Sequence, residues 1–208
     1  MGRKFFVVFE GIDGSGKSTQ AKLLFDYLKK HGFDAVLFAE PSSGTYGQLI
    51  RKELASEKEL STNHILNLFI QDRQDDVNNN ILPALNDGKI VILDRYYYSN
   101  AAYQGAMGLD TEMILKQNLM QNFPKPDRVY FIDISVQAAM ERINARLSNS
   151  KEVKEVFEKV SFLEKVKANY NKLKLADESF ITVNAEREIN DIHKEIINDF
   201  LAEYGQSV

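Results

Sequence analysis

The chain has 208 residues, of which 44% are hydrophobic and 27% charged, as expected for a globular protein with a sizeable core. Its formal net charge of −4 provides no general attraction for a nucleic-acid backbone, so any phosphate must be bound by a local site. The chain has no cysteine, which excludes disulfides and thiolate metal sites.

The elements predicted in chain order are short apolar runs that alternate with longer segments of helical period. Strands are predicted at residues 5–9, 35–38, 90–93, 129–134 and 180–183. Helices are predicted at residues 17–31, 46–55, 62–86, 111–122, 136–147, 156–175 and 189–204. This alternation predicts an α/β fold with a five-stranded, mostly parallel sheet and helices on both faces. No repeat or linker interrupts it, so we expect one domain over residues 1–208.

The first apolar run is too short for a signal peptide, because Glu10 and Asp13 follow it. No apolar stretch reaches the roughly twenty residues needed to span a bilayer. We therefore expect a cytoplasmic protein whose partners include neither a membrane nor a nucleic acid.

The segment after the first strand matches the pattern G-x-x-x-x-G-K-[ST] and opens a helix. Glycines let its backbone N–H groups turn toward phosphate oxygens, and the helix N-terminus adds a favourable dipole. Lys17 is expected to reach the β and γ phosphates. The pattern therefore predicts a phosphate loop that binds ATP through Gly11, Ile12, Asp13, Gly14, Ser15, Gly16, Lys17, Ser18 and Thr19.

Two oxygen-bearing side chains are candidates for holding Mg²⁺ beside this loop. Ser18 occupies the position whose hydroxyl ligates the metal in such loops. Asp94 closes the strand at 90–93, and carboxyl ends of parallel strands meet at one edge of a sheet. We therefore expect Ser18 and Asp94 to form the metal site.

Several segments beyond the loop match one family in order and spacing. They are Phe9 to Thr19, Glu40-Pro41, Leu68 to Arg73, Asp94-Arg95-Tyr96 and Ser99 to Gly105. With them the chain resembles the thymidylate kinase family of P-loop nucleoside monophosphate kinases over nearly its whole length. The resemblance implies a P-loop NTPase fold with a short lid at about 147–155. It also implies ATP- and Mg²⁺-dependent phosphorylation of thymidine monophosphate (dTMP) to the diphosphate, in dTTP synthesis.

The resemblance also implies which side chains bind the acceptor nucleotide. These are Asp13, Glu40, Pro41, Phe69, Arg73, Arg95, Ser99, Asn100, Tyr103 and Gln104. Phe69 would stack on thymine, and Arg73 would donate to a base carbonyl. Arg95 would hold the acceptor phosphate, and Tyr103 would press on the deoxyribose where a ribonucleotide carries its 2′-hydroxyl.

The remaining roles implied by the resemblance concern the sugar, the base edge and the pocket wall. Asp13 would contact the 3′-hydroxyl near the metal, and Ser99 with Asn100 would lie near the base edge. Glu40 and Pro41 would line the pocket, although Ala39 precedes them where many bacterial members carry arginine.

A further departure from the family pattern concerns catalytic charge. Position 14 is glycine, whereas one branch of the family has a catalytic arginine inside the loop. The other branch supplies this charge from the lid, so we expect Arg142 or Arg146 to supply it here. The expected catalytic set is Lys17, Arg95, Asp13, Arg142 and Arg146.

Two other functions remain open at this point. The chain could be another small kinase, acting on a different monophosphate or, with Glu40 as base, on a deoxynucleoside. It could also be a nucleotide-binding module without turnover, although Lys17, Ser18, Asp94 and Arg95 argue against that reading.

The long helix predicted at 62–86 bears on the oligomeric state. Leu68 and Val77 are nine positions apart, which places them on opposite faces at about 100° per residue. One face can pack on the sheet, and the other needs a second cover. We expect a homodimer through this helix, as the resemblance also implies, with another segment of the same chain as the rival cover.

Overall fold

The structure, a computed structural model, describes residues 3–56, 61–146 and 153–206, with side chains except at 146, 153–158 and 206. The five strands are β1 Phe5–Glu10, β2 Ala35–Ala39, β3 Ile90–Asp94, β4 Arg128–Asp133 and β5 Phe180–Asn184. They form one sheet in the order β2-β3-β1-β4-β5, and every pair is parallel. The predicted α/β fold with a five-stranded sheet is confirmed, and the sheet is parallel throughout.

Strand β1 lies at the centre of the sheet and sets the position of the site. All six of its residues are buried, and because successive side chains point to opposite faces, both faces are covered. Phe9 pairs with Asp94 in the register between β1 and β3. The loop after β1 therefore lies beside the residues that follow β3.

The helices are α1 Lys17–Lys30, α2 Thr45–Leu54, α3 Thr62–Asp76, α4 Leu82–Asn86, α5 Tyr97–Ala106, α6 Thr111–Leu119, α7 Val136–Arg146, α8 Val153–Leu173 and α9 Ile189–Gln206. A π-helical turn, Val77–Ile81, joins α3 to α4, so the helix predicted at 62–86 is present with one irregular turn. Within the described ranges, no helix is long and apolar enough to cross a membrane. Residues 147–152 of the expected lid lie outside the described residues.

Helix α5 was not among the helices predicted from the sequence. The reason is burial on almost every side, which removes the alternation of polar and apolar residues that marks a surface helix. Its buried residues include Tyr97 and Tyr98 as well as the polar Asn100 and Gln104. A helix of this kind looks irregular in sequence.

The sequence suggested that one face of the helix predicted at 62–86 needs a second copy of the chain to cover it, and for the Leu68 face this is wrong. Leu68 packs with Ile50 of α2 and Ile65 in a small buried cluster. Val77, on the other face, belongs to the main core. The rival cover, a segment of the same chain, therefore covers the Leu68 face, and this face gives no support for a dimer.

Candidate functional site

The phosphate loop joins β1 to α1 and uses glycine where the backbone demands it. Gly14 has φ 82°, and a Cβ atom there would lie 2.5 Å from the carbonyl oxygen of Ala139. Gly16 has φ 101° and precedes α1, and no side chain caps that helix. The free N–H groups at the start of α1 therefore remain available to an anion.

Lys17 lies buried at the start of α1, and its ammonium donates a hydrogen bond to the carbonyl oxygen of Ile12 at 2.9 Å. Burial, with the nearby charge of Arg95, lowers the pKa of Lys17 to about 7. Asp94 and Asp13 oppose this shift without cancelling it. A bound phosphate group would favour the protonated form of Lys17, so the lysine is suited to bind an anion.

Ser18 and Asp94 meet as the sequence predicted. The hydroxyl of Ser18 donates to Oδ2 of Asp94, while Oδ1 of Asp94 is buried and has no hydrogen-bond partner among the described residues. Buried polar oxygens normally have a partner, and oxygen ligands are the ones that Mg²⁺ prefers. The hydroxyl oxygen of Ser18 and Oδ1 of Asp94 therefore fit a magnesium ion, and the unpartnered Oδ1 is the observation that favours it.

Arg95 follows β3 with φ 73°, a conformation that side chains other than glycine rarely adopt. Its guanidinium donates to Asp13 and to the hydroxyl of Ser99 (3.2 Å), and it lies 5.0 Å from the ring centroid of Tyr103. The Tyr103 hydroxyl accepts from the backbone N–H of Asp13 at 3.0 Å. Burial would raise the pKa of Asp13, but Arg95, Lys17, the hydrogen bond with Tyr103 and Lys159 together lower it.

The loop borders what we call the phosphate-loop cavity, of about 340 Å³. Predicted residues on its wall are Asp13, Gly14, Gly16, Lys17, Ser18, Thr19 and Arg95. Lys159 of α8 also lines it and was not foreseen as a site residue. Three cationic side chains therefore face one small space.

A second space, the aromatic cavity, has a volume of about 360 Å³ and mostly apolar walls. Predicted residues that line it are Asp13, Pro41, Phe69, Arg95, Ser99, Asn100, Tyr103 and Gln104. Asp13 and Arg95 line both cavities, so the two spaces are adjacent. A mainly apolar pocket with a few polar groups is typical of a site for a small organic ligand.

Arg73 and Glu40 were expected on the wall of this pocket, and the structure places them behind it. Arg73 is 1% exposed and donates to both carboxylate oxygens of Glu40, at 2.9 Å to Oε2. It also donates to Oδ1 of Asn100 (2.5 Å) and Oδ1 of Asn118 (2.6 Å). Together these bonds occupy four of its five N–H groups. Burial raises the pKa of Glu40, and Arg73 opposes that rise.

The amide of Asn100 is oriented by this buried pair. A guanidinium has only donors, so the oxygen of Asn100 must face Arg73. Its nitrogen then donates to Oε1 of Gln104 at 3.1 Å. One N–H of Asn100 and the amide nitrogen of Gln104 then remain as hydrogen-bond donors on two residues that line the cavity.

Glu10, at the end of β1, is a residue whose role the sequence did not reveal. Its fully buried carboxylate accepts from the backbone N–H of Tyr96 (2.8 Å), the hydroxyl of Ser99 (2.6 Å) and that of Tyr170 (2.7 Å). Burial raises the pKa of Glu10. These hydrogen bonds and the nearby charge of Arg95 counteract the rise. Glu10 thus caps α5 and ties α8 to the loop that carries Arg95. The available signals were a carboxylate at the end of an apolar strand and its place within the Phe9–Thr19 segment that matches the family.

Arg142 lies on the outer side of the loop, against a third space that we call the isoleucine cavity. Its guanidinium donates to the carbonyl oxygens of Ser15 (3.2 Å) and Ala185 (2.8 Å). This cavity, of about 330 Å³, is lined chiefly by apolar groups, including Ile132, Ile189 and Ile192. The side chain of Arg146, the other candidate for lid charge, lies outside what the structure describes.

Comparison with known proteins identifies one family. The family model described as Thymidylate kinase matches residues 9–196. A thymidylate kinase of Leptospira interrogans is 44% identical over 199 residues, which cover 96% of this chain and 95% of the relative. One from Desulfotalea psychrophila is 42% identical over 192 residues, covering 92% and 91%. A probable thymidylate kinase of Thermococcus onnurineus is 42% identical over 201 residues, covering 92% and 95%.

Proposed function

The chain belongs to the thymidylate kinase family, and from this premise we propose that it transfers the γ-phosphoryl group of ATP to dTMP, giving dTDP for dTTP synthesis. The observation that carries the proposal is the pair of adjacent cavities, one beside the phosphate loop and one with aromatic walls. Asp13 and Arg95 line both. Two nucleotides bound there would meet at their phosphates.

The proposed reaction needs charge and alignment more than it needs a base. An oxygen of the dTMP phosphate, already anionic near neutral pH, forms a bond to the γ phosphorus. The bond from that phosphorus to the β–γ bridging oxygen breaks, and its electron pair stays on ADP. Lys17 would bind the transferring group, and Arg95 would hold the acceptor phosphate in line.

Mg²⁺ is the cofactor that we propose, held by Ser18 and Asp94. When bound there, it would neutralise charge on the phosphate oxygens of ATP. The unpartnered Oδ1 of Asp94 beside the Ser18 hydroxyl supports this assignment. Asp13 would contact the 3′-hydroxyl of dTMP, since it lies on the boundary between the two cavities.

The isoleucine cavity is our candidate for the adenine of ATP. It lies on the outer side of the loop, at Ser15 and Gly16, and its apolar residues suit a flat base. Arg142 lines it with a guanidinium fixed by two carbonyl oxygens, and such a plane can stack on a ring. This placement favours a role for Arg142 in binding ATP over the expected role as a catalytic lid charge.

Preference for thymine would arise from the donors on the wall of the aromatic cavity. Arg73 fixes Asn100, and Asn100 fixes Gln104, so both amides offer N–H groups. Thymine carries carbonyl oxygens at positions 2 and 4, whereas cytosine has an amino donor at position 4. Two opposed donors in a buried site cost about 1–3 kcal/mol. Arg73 would act on the base through Asn100, because it lies behind the cavity wall and does not line it.

The sugar and ring of dTMP would be selected by the aromatic side chains. Phe69 lines the cavity and would stack on the base. Tyr103 is held by Asp13 and Arg95, so its ring cannot easily yield to a 2′-hydroxyl. We expect purine monophosphates to be poor acceptors, because a two-ring base would have to fit beside Phe69 and Tyr103 in a space of about 360 Å³.

A deoxynucleoside kinase is disfavoured by the position of Glu40. Such an enzyme needs a carboxylate base beside the acceptor hydroxyl. Glu40 is 5% exposed, is bonded to Arg73 and does not line the aromatic cavity. A nucleotide-binding module without turnover would not need the second cavity that adjoins the loop.

We also propose that the protein is a cytoplasmic homodimer, on the strength of family membership. The face of α3 around Leu68 adds nothing, because α2 covers it. Sedimentation at micromolar concentration checks the proposal. A species of twice the chain mass supports it, and one of 23.8 kDa contradicts it.

A coupled ADP-release assay tests the proposed activity directly. Nucleosides and nucleoside monophosphates are added singly to the protein with ATP and Mg²⁺. We expect dTMP to stimulate ADP release and thymidine to have no effect. Release that is independent of any acceptor, or that thymidine stimulates more than dTMP, would contradict the proposal.

A further inference from the structure

Lys159 stands out because it lies far along the chain from the phosphate loop and yet lines the phosphate-loop cavity. Among the described residues on that cavity wall, the cationic ones are Lys17, Arg95 and Lys159. The first two come from motifs that the sequence identifies. Lys159 belongs to α8 and to no such motif.

The loop itself has no room for an additional cation. A Cβ atom at Gly14 would lie 2.5 Å from the carbonyl oxygen of Ala139 and 3.0 Å from a side-chain carbon of Ile143. An arginine there would require α7 to move away. Arg142 of α7 is engaged by two carbonyl oxygens at the isoleucine cavity. Among the residues whose side chains the structure describes, an extra charge for the transferring group would therefore come from another element.

The geometry of α8 brings Lys159 to the loop. Lys159 and Tyr170 are eleven residues apart, which is three turns plus about 20°, so they share one face of the helix. Tyr170 is fixed by its hydrogen bond to Glu10, and Val166 on the same face is fully buried. Lys159 therefore continues the buried face, about 16 Å farther along the helix axis.

The charge of Lys159 reaches the reacting region. Burial would raise the pKa of Asp13, but Arg95, Lys17, the hydrogen bond with Tyr103 and, as the smallest of these contributions, Lys159 lower it instead. Asp13 lies between the two cavities, where donor and acceptor phosphates would meet. A lysine ammonium in this place can move among the oxygens of a phosphoryl group, since it carries three donors on a flexible stem.

We propose that Lys159 is a catalytic residue that contacts the transferring phosphoryl group and supplies the charge that the loop lacks at Gly14. The proposal rests on the proposed phosphoryl transfer from ATP to dTMP. Negative charge spreads over the three outer oxygens of the γ phosphorus as its bond to the bridging oxygen breaks and the bond to the dTMP oxygen forms. Lys159 stabilises that charge and transfers no proton.

The test compares three variants in the coupled assay at saturating ATP. Lys159→Gln removes the charge and keeps most of the side-chain length, so kcat should fall on the order of a hundredfold. The KM for dTMP should change by less than about threefold, because the lost contact belongs to the transition state. Lys159→Arg should restore most of kcat. Lys165→Gln on the exposed side of α8 is the matched control and should behave as wild type.

Thermal unfolding of each variant separates loss of charge from loss of fold. The proposal is overturned if folded Lys159→Gln keeps kcat near that of Lys165→Gln. It is also overturned if the whole loss appears in the KM for dTMP, since Lys159 would then bind substrate and transition state equally. A wild-type protein that ignores dTMP would overturn the proposed function itself. An active wild type with an active Lys159→Gln would overturn only the role of Lys159.

Discussion

The phosphate loop and the aromatic cavity are adjacent and yet are built in different ways. The loop is one segment of nine residues whose shape depends on glycine backbone angles and on the start of α1. The cavity takes its amide groups from α5, and these are oriented by Arg73 of α3, which Glu40 and Asn118 of α6 hold in place. The first region is local in sequence, and the second exists only after the chain has folded.

This difference indicates which substitutions should impair turnover and which should change substrate choice. In the loop, backbone N–H groups would make most of the contacts to phosphate. Lys17 is therefore the loop side chain on which phosphoryl transfer should depend most. In the cavity, a change to one amide can reverse the pattern of donors without moving the backbone. Substitutions should therefore act on turnover in the first region and on substrate choice in the second.

The largest effect should follow from Lys17→Ala. Loss of the ammonium removes charge stabilisation from the transition state, so kcat should fall a hundredfold or more. Steady-state kinetics with dTMP checks this, and thermal unfolding shows whether the fold is retained. Lys22→Ala, at an exposed position on the same helix, serves as control. A Lys17→Ala variant with near-normal kcat would end the assignment of the loop.

The second effect concerns selectivity. Asn100→Asp keeps an oxygen facing Arg73 but replaces the N–H groups with a second oxygen. The ratio of kcat/KM for dTMP to that for dCMP should fall about tenfold or more, since a cost of about 1–3 kcal/mol is removed or inverted. Asn79→Asp, an exposed change with the same charge, should leave the ratio unaltered. An unchanged ratio in Asn100→Asp would exclude Asn100 from base recognition.

The third effect is the pH dependence of ATP binding. Lys17 has a pKa of about 7 in the free protein, and bound phosphate should raise it. Above pH 7 the free protein loses this proton, so ATP binding must take one up, and affinity should fall several-fold per pH unit. Calorimetry at pH 8.5 in buffers of different ionisation enthalpy should detect about one proton. Lys17→Arg should abolish the uptake, and uptake that persists would assign the proton to another group.

The smallest effect tests how the two regions are joined. Tyr170→Phe removes a hydrogen bond to the buried Glu10 carboxylate, so the free energy of unfolding should fall by about 2 kcal/mol. The KM for dTMP should also rise, because Glu10 positions the loop that carries Arg95. Tyr130→Phe loses a similar bond, to Asp199, and neither of these residues lines any of the three cavities. Tyr130→Phe should lose stability with no change in the KM for dTMP. Equal KM values for Tyr170→Phe and Tyr130→Phe would show that Glu10 has no positioning role.

The sequence predicted those parts of the molecule that depend on local pattern. All five strands are present within one residue of their predicted ends, because buried parallel strands read as continuous apolar runs. The phosphate loop also follows from nine consecutive residues. Helix α5 was missed because its burial on nearly all sides hides the helical period.

The roles that sequence could not reveal depend on distant contacts. From the sequence, Lys159 is one more charged residue on a helix, and only the structure shows that it lines the phosphate-loop cavity. Glu10 reads as the end of a strand until Tyr96, Ser99 and Tyr170 converge on it. Arg73 was singled out from the sequence, but its burial behind Asn100 comes from tertiary packing and could not be foreseen.

The central claim is that the aromatic cavity selects thymine by its donors, and one series of measurements tests it most directly. The value of kcat/KM is determined for dTMP, dUMP, UMP and dCMP under identical conditions. The account predicts dTMP first and dUMP next, because a missing methyl group is worth only about 0.8 kcal/mol. UMP should be poorer because of its 2′-hydroxyl, and dCMP because its amino group opposes the donors. A preference for dCMP or UMP would contradict the account of base selection and leave the phosphate loop unaffected.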